Sequence, residues 1–207
     1  MELPKSIQNF IKIFSQIPSI GPRQATRISF WLLHQNKDSQ DKFQNALNDL
    51  LKKTSLCPEC FFTFDNSQGE KLCEICRNLR RNHSLLCIVE KETDLISLEK
   101  TNQYHGIYHI LGGLLSALEE KKKDQITVNA LLNRIKKNEK TSHPIKEIIL
   151  ALSSTSDGNL TTYYLEKEIK KLNPKIRITK LGRGLPHGGE VEFADAETLT
   201  NALEGRH

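Results

Sequence analysis

Four of the five cysteines of this 207-residue chain stand in two closely spaced pairs. The first pair is Cys57 and Cys60, the second is Cys73 and Cys76, and twelve residues separate the two pairs. Zn²⁺ binds four ligands at the corners of a tetrahedron, about 2.3 Å from sulfur, and each CxxC turn supplies two of them. Because the thiolates would take all four corners and leave no position for water, we expect a structural zinc ion.

Two other interpretations of these cysteines are a pair of disulfides and a redox dithiol. Disulfides need an oxidising compartment, and the amino-terminal sequence lacks the basic start and apolar run of a signal peptide. A redox motif needs one CxxC pair rather than two at zinc spacing. No apolar run approaches the roughly eighteen residues of a membrane span, so we expect a cytoplasmic protein without membrane contact. Cys87 falls inside an apolar run and is predicted to pack as a small hydrophobic residue.

Three amphipathic helices are predicted ahead of the cysteines, over about residues 4–17, 22–35 and 40–55. We therefore assign residues 1–56 to an amino-terminal helical unit. This segment holds eight Lys or Arg residues and four Asp or Glu residues. Its positive charge favours a polyanionic partner, although a solvated helical face explains the same charge equally well.

The segment between the first two helices, Ile17 to Pro22, predicts a tight turn. Gly21 is expected in the left-handed conformation, and Pro22 is expected to begin the second helix. The turn resembles the helix-hairpin-helix motif, in which backbone N–H groups bind a DNA phosphate without reading sequence. Arg23 and Arg27 lie four residues apart and share a helical face. Gly21, Arg23 and Arg27 are the predicted DNA-binding residues, and a purely structural turn is the alternative.

The pattern changes to that of an α/β sheet after Ser84. Apolar runs at Leu85–Val89 and Ile148–Leu152 predict buried parallel strands, and residues 160–172 and 176–181 predict a helix and a further strand. The predicted fold class is therefore α+β with several parts. Its parts are the helical unit, a four-cysteine module (57–82), an α/β domain with a mostly parallel sheet (83–181) and a carboxyl-terminal strand and helix segment (182–207).

Acidic and small polar residues follow the two predicted strands. Glu90 follows the first strand directly, and Ser153-Ser154-Thr155-Ser156-Asp157-Gly158 follows the second. A carboxylate at the carboxyl end of a parallel strand lies where such sheets bind ligands. The pattern resembles the Toprim domain of topoisomerases and primases, which has a Glu after its first strand and an Asp-x-Asp pair, an acid and a glycine after a later one. Glu90 matches that Glu, and Asp157-Gly158 matches the acid and glycine.

Ser153 and Thr155 occupy the two positions of the Asp-x-Asp pair. Mg²⁺-assisted phosphoryl transfer relies on carboxylates that hold the ion, so we expect a Toprim domain that binds a partner without catalysing a reaction. The competing interpretation is a metal-dependent nuclease or nucleotidyl transferase whose Mg²⁺ ligands are Glu90, Asp157 and either Glu92 or Asp94. A helix-capping role is a further alternative for Asp157.

The last segment contains four glycines and Pro186 between residues 182 and 189, which predicts a rigid loop. The loop does not match the GxxxxGK[ST] pattern of a nucleotide-binding P-loop. Asp195 is predicted to cap a final helix over Ala196–Leu203. Earlier in the chain, Lys121-Lys122-Lys123 is predicted to be a solvated loop, with nucleic-acid contact as the alternative.

The order of hairpin, four-cysteine module and Toprim domain resembles the bacterial recombination mediator family RecR. The most specific segments of the match are Leu111-Gly112-Gly113-Leu114-Leu115-Ser116, Arg183-Gly184-Leu185-Pro186, Gly188-Gly189-Glu190 and Ala202-Leu203-Glu204-Gly205-Arg206. The chain departs from the family at three places. Ser19 replaces the first glycine of the hairpin, Ser153 to Gly158 replaces Asn-Pro-Thr-x-Glu-Gly, and the lysine-rich stretch near 119–124 resembles an insert.

The resemblance implies a non-enzymatic DNA-repair protein. Family members form ring-like or clamp-like oligomers around DNA, act with RecO and RecF, and help load RecA onto single strands coated with single-strand-binding protein. For this chain, the resemblance implies contact of Arg23 and Arg27 with single- and double-stranded DNA, and partner contact at the Toprim crevice around Glu90 and Asp157. It also implies self-association into a dimer or tetrameric ring through both ends of the chain, and association with the nucleoid.

Overall fold

The computed structural model describes residues 2–116 and 126–206. The chain divides into two compact units, Met1–Thr54 and Ser55–His207. The lysine-rich stretch near 119–124, with Lys121, Lys122 and Lys123, lies outside the described residues. None of the helices in the described part is long and apolar enough to cross a membrane.

The first unit consists of three helices, as the sequence predicts: α1 (Lys5–Phe14), α2 (Pro22–Leu33) and α3 (Lys37–Lys53). The third helix begins three residues earlier than predicted. Asn36 is its N-cap, and the Asn36 side chain accepts a hydrogen bond of 2.9 Å from the backbone N–H of Ser39. This bond satisfies one of the free N–H groups in the first turn, so the polar start of the helix is stable.

The apolar residues of the first unit form an open face rather than a closed core. Within its described helices, only Ala25 and Ser29 of α2 are buried. Side chains from all three helices line a groove of about 830 Å³. Trp31 and Phe43 contact each other edge to face at 5.3 Å, yet half of each side chain remains exposed. Helical spacing therefore identified the apolar face correctly, and within the three described helices this face stays open.

The cysteine module opens the second unit. Its secondary structure is a small two-stranded sheet followed by a single helical turn: β1 (Thr54–Leu56), β2 (Thr63–Asp65) and α4 (Glu74–Arg77). Cys57 and Cys60 lie on the connection between the two strands. Cys73 is the N-cap of α4, and Cys76 lies within α4. The short elements thus bring both CxxC pairs into turns.

The rest of the second unit is built on a parallel sheet of order β4-β3-β5-β6. The strands are β3 (Asn82–Val89), β4 (Gly106–Ile110), β5 (Glu147–Ala151) and β6 (Arg177–Lys180), and the helices between them are α5 (Glu92–Lys100), α6 (Val128–Asn138) and α7 (Ser156–Leu172). The predicted parallel sheet is confirmed. β4 has no counterpart in the sequence-based prediction, because Tyr108 and His109 interrupt its apolar run, although all five residues of β4 are buried.

The sheet has an apolar core on each face. On one face, residues of β3 and β5 pack against α6 and α7, through side chains such as Leu131, Ile135 and Leu165. On the other face, Cys87, Val89 and further buried residues pack against α5 and the cysteine module. The module therefore covers part of the sheet.

The carboxyl-terminal segment contains a 3₁₀ turn (Val191–Phe193) and α8 (Ala196–Glu204). The predicted cap is confirmed, because the Asp195 carboxylate accepts a hydrogen bond of 2.8 Å from the backbone N–H of Thr198. The segment also exposes apolar side chains, among them Phe193, which is 79% exposed.

Candidate metal centre and functional surfaces

The four paired cysteines meet in one buried group. Their sulfur atoms all lie within 4.8 Å of one another, and the sulfurs of Cys60 and Cys73 are 3.4 Å apart. A tetrahedron with about 2.3 Å from metal to sulfur has edges of about 3.8 Å, so the group has the size of a metal site. Cys87 is not part of it. Burial inside β3 raises the pKa of the Cys87 thiol to about 12, which keeps that thiol protonated and inert.

The cysteine group cannot ionise completely by itself. The pKa of Cys57 is lowered, mainly by hydrogen bonding from Cys60, and the pKa of Cys60 is raised by the same contact. The contact with Cys57 raises the pKa of Cys73, whereas contacts with Cys60 and Cys76 lower it, to a net value of about 7. Four thiolates need a cation between them. The residues therefore fit a divalent metal with soft sulfur ligands.

Backbone and side-chain contacts attach the cysteine group to the edge of the parallel sheet. The backbone N–H of Ile110, at the end of β4, donates a hydrogen bond of 2.9 Å to the carbonyl of Cys60. Arg134 of α6 lies 3.2 Å from a Glu59 carboxylate oxygen and donates a bond of 2.6 Å to the carbonyl of Tyr108. Arg81 donates to the carbonyl of Gly106 at 2.9 Å. Three outward-facing backbone groups of β4, the carbonyls of Gly106 and Tyr108 and the N–H of Ile110, are thus occupied.

His109 lies buried at the junction between the sheet and the cysteine module. Its Nε2 atom is 2.9 Å from the hydroxyl of Thr127, and its ring packs edge-on against Phe61 at 5.2 Å. Burial, with a smaller effect of the charge on Arg134, lowers the pKa of His109 to about 3. The ring is therefore neutral at physiological pH and serves as a polar part of the packing.

In the first unit, the turn between α1 and α2 departs from the prediction. The backbone N–H of Ile20 bonds to the carbonyl of Ile17 at 3.0 Å, and Ser19 has φ +66°. With Pro18 before it, this is a type II turn, which needs positive φ at its third residue. Gly21 has φ −88°, so the expectation of a left-handed Gly21 is wrong. Ser19 adopts that conformation instead, at a cost of about 1–2 kcal/mol for a non-glycine residue.

The start of α2 is free to accept an anion. Gly21 is its N-cap, and Pro22 is its first residue, as predicted for Pro22. No side chain caps the helix, and no acid lies in its first turn. Arg23 and Arg27 are exposed, and in the described chain neither side chain has an ion pair or hydrogen bond. In contrast, α3 pairs its lysines with its aspartates, as in the Lys37–Asp41 contact of 2.7 Å. The unpaired positive charge of α2 is therefore available to a ligand.

The carboxyl ends of β3 and β5 form a crevice at the switch point of the sheet. The chain leaves β3 toward β4 on one side and later returns to β5 on the other, and such switch points are where open sheets bind ligands. Glu90 follows β3, and its carboxylate accepts a hydrogen bond of 2.7 Å from the Ser153 hydroxyl, which follows β5. The structure thus brings together Glu90 and one of the two residues that replace the Asp-x-Asp pair.

The start of α7 explains the rest of the Ser153–Gly158 segment. Thr155 is the N-cap, and its side chain accepts a hydrogen bond of 3.1 Å from the N–H of Gly158. Capping is therefore the role of Thr155, and the alternative of a capping Asp157 is wrong. A Cβ atom at Gly158 would lie 1.8 Å from the carbonyl oxygen of Ser153, so only glycine fits there. Asp157 is left in the first turn of α7, half-buried.

The remaining acids of the competing interpretation do not assemble a metal site. The Asp94 carboxylate accepts a hydrogen bond of 3.1 Å from the backbone N–H of Lys91 and so caps α5. Glu92 is exposed in the first turn of the same helix. Over residues 2–116 and 126–206, the cysteines are the one group of three or more metal-ligating side chains. Ser153 and Thr155, in place of acids, have hydrogen-bonding roles that need no metal.

Two features of the crevice and its surroundings were not assigned by sequence reasoning. Gly112 and Gly113, with φ +80° and +158°, form the turn after β4, and the Gly112 N–H bonds to the Glu90 carbonyl at 2.9 Å. Arg134 and His109 connect the cysteine module to the sheet. The Gly-Gly pair is a turn signal that marks the end of β4. No local pattern identifies Arg134 or His109, because their partners lie far away in the sequence.

Comparison with protein families agrees with this architecture. Residues 7–51 match the RecR helix-hairpin-helix family, residues 84–182 match the Toprim domain family, and residues 184–207 match the RecR carboxyl-terminal family. The fold and the matches define a class of protein in which a helix-hairpin-helix unit and a four-cysteine site accompany a Toprim domain.

Individual relatives extend over nearly the whole chain. The chain is 37% identical over 201 residues to recombination protein RecR of Chloroherpeton thalassium, covering 97% of this chain and 96% of the relative. It is 35% identical over 204 residues to recombination protein RecR of a Roseiflexus species, covering 99% and 94%. The corresponding protein of Prochlorococcus marinus is 37% identical over 202 residues, covering 98% and 96%. The chain belongs to the recombination protein RecR family.

Proposed function

We propose that the chain is a non-enzymatic mediator of recombinational DNA repair. In this proposal, a clamp-like oligomer grips DNA and helps RecO and RecF load RecA onto single strands in the cytoplasm, at the nucleoid. Residues 1–56 contact DNA, residues 57–82 hold zinc, residues 83–181 bind partner proteins, and residues 182–207 contribute to self-association. The observation that carries the proposal is the uncapped start of α2 beside two unpaired arginines.

DNA contact is assigned to Gly21, Arg23 and Arg27. A phosphate at the start of α2 would accept hydrogen bonds from free backbone N–H groups and would be attracted by the positive end of the helix dipole. The two arginines lie on one helical face and add charge along the same strand of nucleic acid. Contacts of this kind position the protein on the backbone without sequence preference.

DNA binding as a function of salt tests this assignment. We expect Arg23→Ala/Arg27→Ala to bind a labelled oligonucleotide more weakly and with a shallower salt dependence. Each lost phosphate contact lowers the slope of log K against log[salt] by about 0.9 on duplex and about 0.7 on single strands. The matched control is Lys5→Ala/Lys52→Ala, which removes the same charge from exposed positions of the same unit. Equal losses in both variants, or no loss in the first, would contradict the assignment.

Zinc is the metal that we assign to Cys57, Cys60, Cys73 and Cys76, one ion per chain. The buried tetrahedral-sized group of four sulfurs and their need for a shared cation support this assignment. Because thiolates fill every position, the ion would hold the module on the edge of the sheet and would take no part in a reaction.

Partner binding is assigned to the Toprim crevice around Glu90 and Asp157. Carboxylates lie at the switch point, where open sheets bind ligands. Ser153 and Thr155, which stand in place of two acids, carry no charge that could hold Mg²⁺ for phosphoryl transfer. We expect Glu90→Lys to weaken binding to purified RecO or RecF in a pull-down with DNA absent. Glu92→Lys, which makes the same charge change on the exposed surface of α5, is the control. Equal binding by wild type and Glu90→Lys would reject the assignment of Glu90.

A cleavage assay separates this proposal from the nuclease or nucleotidyl transferase alternative. We expect no turnover of single- or double-stranded DNA with Mg²⁺ or Mn²⁺. Turnover that disappears in Glu90→Gln would overturn the non-enzymatic assignment.

Self-association is supported by apolar surface at both ends of the chain. The first unit exposes Trp31, Leu47 and further apolar side chains along one groove, and the carboxyl-terminal segment exposes Val191 and Phe193. Contiguous apolar surface of this kind is typical of protein interfaces. Light scattering with and without DNA measures the assembly and any change in its size. A molar mass that stays at the monomer value across the micromolar range would reject the clamp.

A further inference from the structure

The amino ends of the parallel strands meet at one edge of the sheet, opposite the Toprim crevice. β5 begins at Glu147, which is in register with Leu85 of β3 and Arg177 of β6. α6 runs back across the sheet to the same edge, where its last residue, Asn138, accepts a hydrogen bond of 2.6 Å from the N–H of Ile145. The turns before β5 and β6 and the end of α6 are therefore neighbours.

Exposed cations concentrate at this edge. We call them the amino-edge patch, and its members are Lys136, Lys137, Lys140, Lys146, Lys175 and Arg177. No side chain of the patch has an ion pair or a hydrogen bond with any described residue. The strands bring members of the patch together, because the N–H of Arg177 bonds to the carbonyl of Lys146 at 2.9 Å. The acids nearby are Glu139 and Glu147, and a Glu147 carboxylate oxygen already accepts a bond of 2.9 Å from Thr179.

Structural roles explain only part of the patch. Lys136 and Lys137 lie in the last turn of α6, where cations offset the negative end of the helix dipole. Arg177 lies on an edge strand, where charge discourages unwanted strand pairing. Neither role applies to Lys140, Lys146 or Lys175, which lie outside helices and outside the edge strand. Three unpaired lysines in neighbouring turns are thus left without a structural role in the described chain.

The opposite edge of the same sheet has the reverse charge. Glu90, Glu92, Asp94 and Asp157 follow the carboxyl ends of β3 and β5, against a single cation in that sequence, Lys91. A polyanion near this domain is therefore repelled from the crevice and attracted to the amino edge. Lysine, a flexible point charge without planar geometry, suits contact with phosphates at varied positions.

We propose that the amino-edge patch binds the sugar–phosphate backbone of DNA as a second contact surface, independent of the hairpin in the first unit. Its contacts are electrostatic and sequence-independent. The inference goes beyond the proposed hairpin contact, because it assigns a nucleic-acid surface to the Toprim domain. It does not require that the hairpin itself binds DNA.

The test variant is Lys140→Gln/Lys146→Gln/Lys175→Gln, measured by fluorescence anisotropy with a labelled oligo-dT strand and with a duplex of equal length. We expect weaker binding to both and a slope of log K against log[NaCl] that is shallower by about 2–3 on duplex, as three phosphate contacts are lost. The control is Lys71→Gln/Lys91→Gln/Lys167→Gln, which removes three exposed charges elsewhere in the second unit. Substitutions at such exposed positions change the free energy of unfolding by about 0.5 kcal/mol or less. Thermal unfolding verifies that each variant is folded, and light scattering verifies that its assembly is unchanged.

The outcomes separate this inference from the hairpin assignment. If the test variant binds as well as wild type, or loses no more than the control variant, the patch is not a DNA surface. If Arg23→Ala/Arg27→Ala retains wild-type affinity for DNA while the lysine variant binds more weakly, the patch is a DNA surface and the hairpin assignment is wrong. When both variants are combined, we expect the changes in salt slope to add, because the two surfaces make separate contacts.

Discussion

The two units of the chain differ in how completely they bury their apolar residues. In the second unit, Leu86, Ile148 and Leu165 are fully buried between the sheet and its helices, whereas in the first unit Trp31 and Leu47 are about half exposed, at 50% and 52%. Buried apolar area is the main favourable term in folding. The second unit thus has a complete core, while the three helices of the first unit leave much of their shared apolar face open, so burial stabilises the first unit less.

The single tryptophan makes this comparison measurable. Trp31 lies in the first unit, and all four tyrosines of the chain lie in the second. Tryptophan fluorescence therefore follows unfolding of the first unit, and tyrosine near-ultraviolet circular dichroism follows unfolding of the second.

The largest effect is expected for Cys60→Ser. Loss of one thiolate should release the metal and unfold the module, because structural zinc sites contribute apparent free energies of about 10–16 kcal/mol in finger peptides. Metal analysis of reduced protein should find one zinc per chain in wild type and none in the variant. Cys87→Ala, which removes a buried thiol outside the group, should retain the zinc. Wild-type protein without zinc would reject the site.

The next effect tests the completeness of the two cores. Leu150→Ala in β5, which is 3% exposed, should destabilise the second unit by about 2–5 kcal/mol in urea unfolding. Leu47→Ala in α3 should cost the first unit far less at low protein concentration. At high concentration, Leu47→Glu should lower the molar mass of the assembly. If Leu47→Ala lowered the free energy of unfolding of the dilute monomer as much as Leu150→Ala does, the two units would not differ in how well their cores are packed.

A smaller effect concerns the pH dependence of the second unit. The pKa of His109 lies at about 3 in the folded protein and at about 6.5 when unfolded. Between these values the unfolded state binds more protons, so stability falls as pH falls from 6.5 toward 3. At pH 5.5 the loss relative to pH 8 should be about 1 kcal/mol.

His109→Gln is the variant that measures this loss. It should remove the His109 contribution from the pH dependence while its amide retains a bond to Thr127. The same pH dependence in wild type and His109→Gln would show that His109 is not a buried neutral group.

The smallest effect is expected at the hairpin of the first unit. Ser19→Gly should stabilise this unit by up to about 1 kcal/mol, because glycine adopts positive φ without the steric cost that serine carries. The same change at Ser6, inside α1, should destabilise the unit by about 0.5–1 kcal/mol. Tryptophan fluorescence in urea measures both changes. Destabilisation by Ser19→Gly would mean that the serine side chain makes a contact needed by the turn.

Local sequence patterns predicted much of the fold and of the metal site. Helical periodicity located α1, α2 and α3, and CxxC spacing identified the four cysteines that the structure brings together. Periodicity does not reveal whether an apolar face has a partner within the chain, so the open groove around Trp31 was not foreseen. The left-handed Ser19 was missed because glycine, not serine, is the usual signal of positive φ.

Long-range contacts explain the remaining differences. β4 was missed because its buried residues include Tyr108 and His109, which hide the apolar run. The fold tolerates them because the Tyr108 hydroxyl donates to Glu99 and His109 Nε2 contacts the Thr127 hydroxyl, and neither partner is adjacent in sequence. The roles of Ser153 and Thr155 likewise depend on the three-dimensional position of Glu90 and on the first turn of α7. The sequence alone showed that Ser153 and Thr155 stand where the Toprim pattern has two acids. The hydrogen bonds that these two side chains make could be identified only from the structure.

The two edge strands of the parallel sheet, β4 and β6, differ in how many of their outward backbone groups are hydrogen-bonded. Arg81, Arg134 and the carbonyl of Cys60 bond to three outward backbone groups of β4, whereas no described backbone group bonds to the outer side of β6. A sheet with one closed border can gain a further strand from one direction only. A strand added at β4 would have to displace these contacts, whereas a strand added at β6 would displace no described backbone bond, so the cysteine module obstructs the ladder at the β4 border.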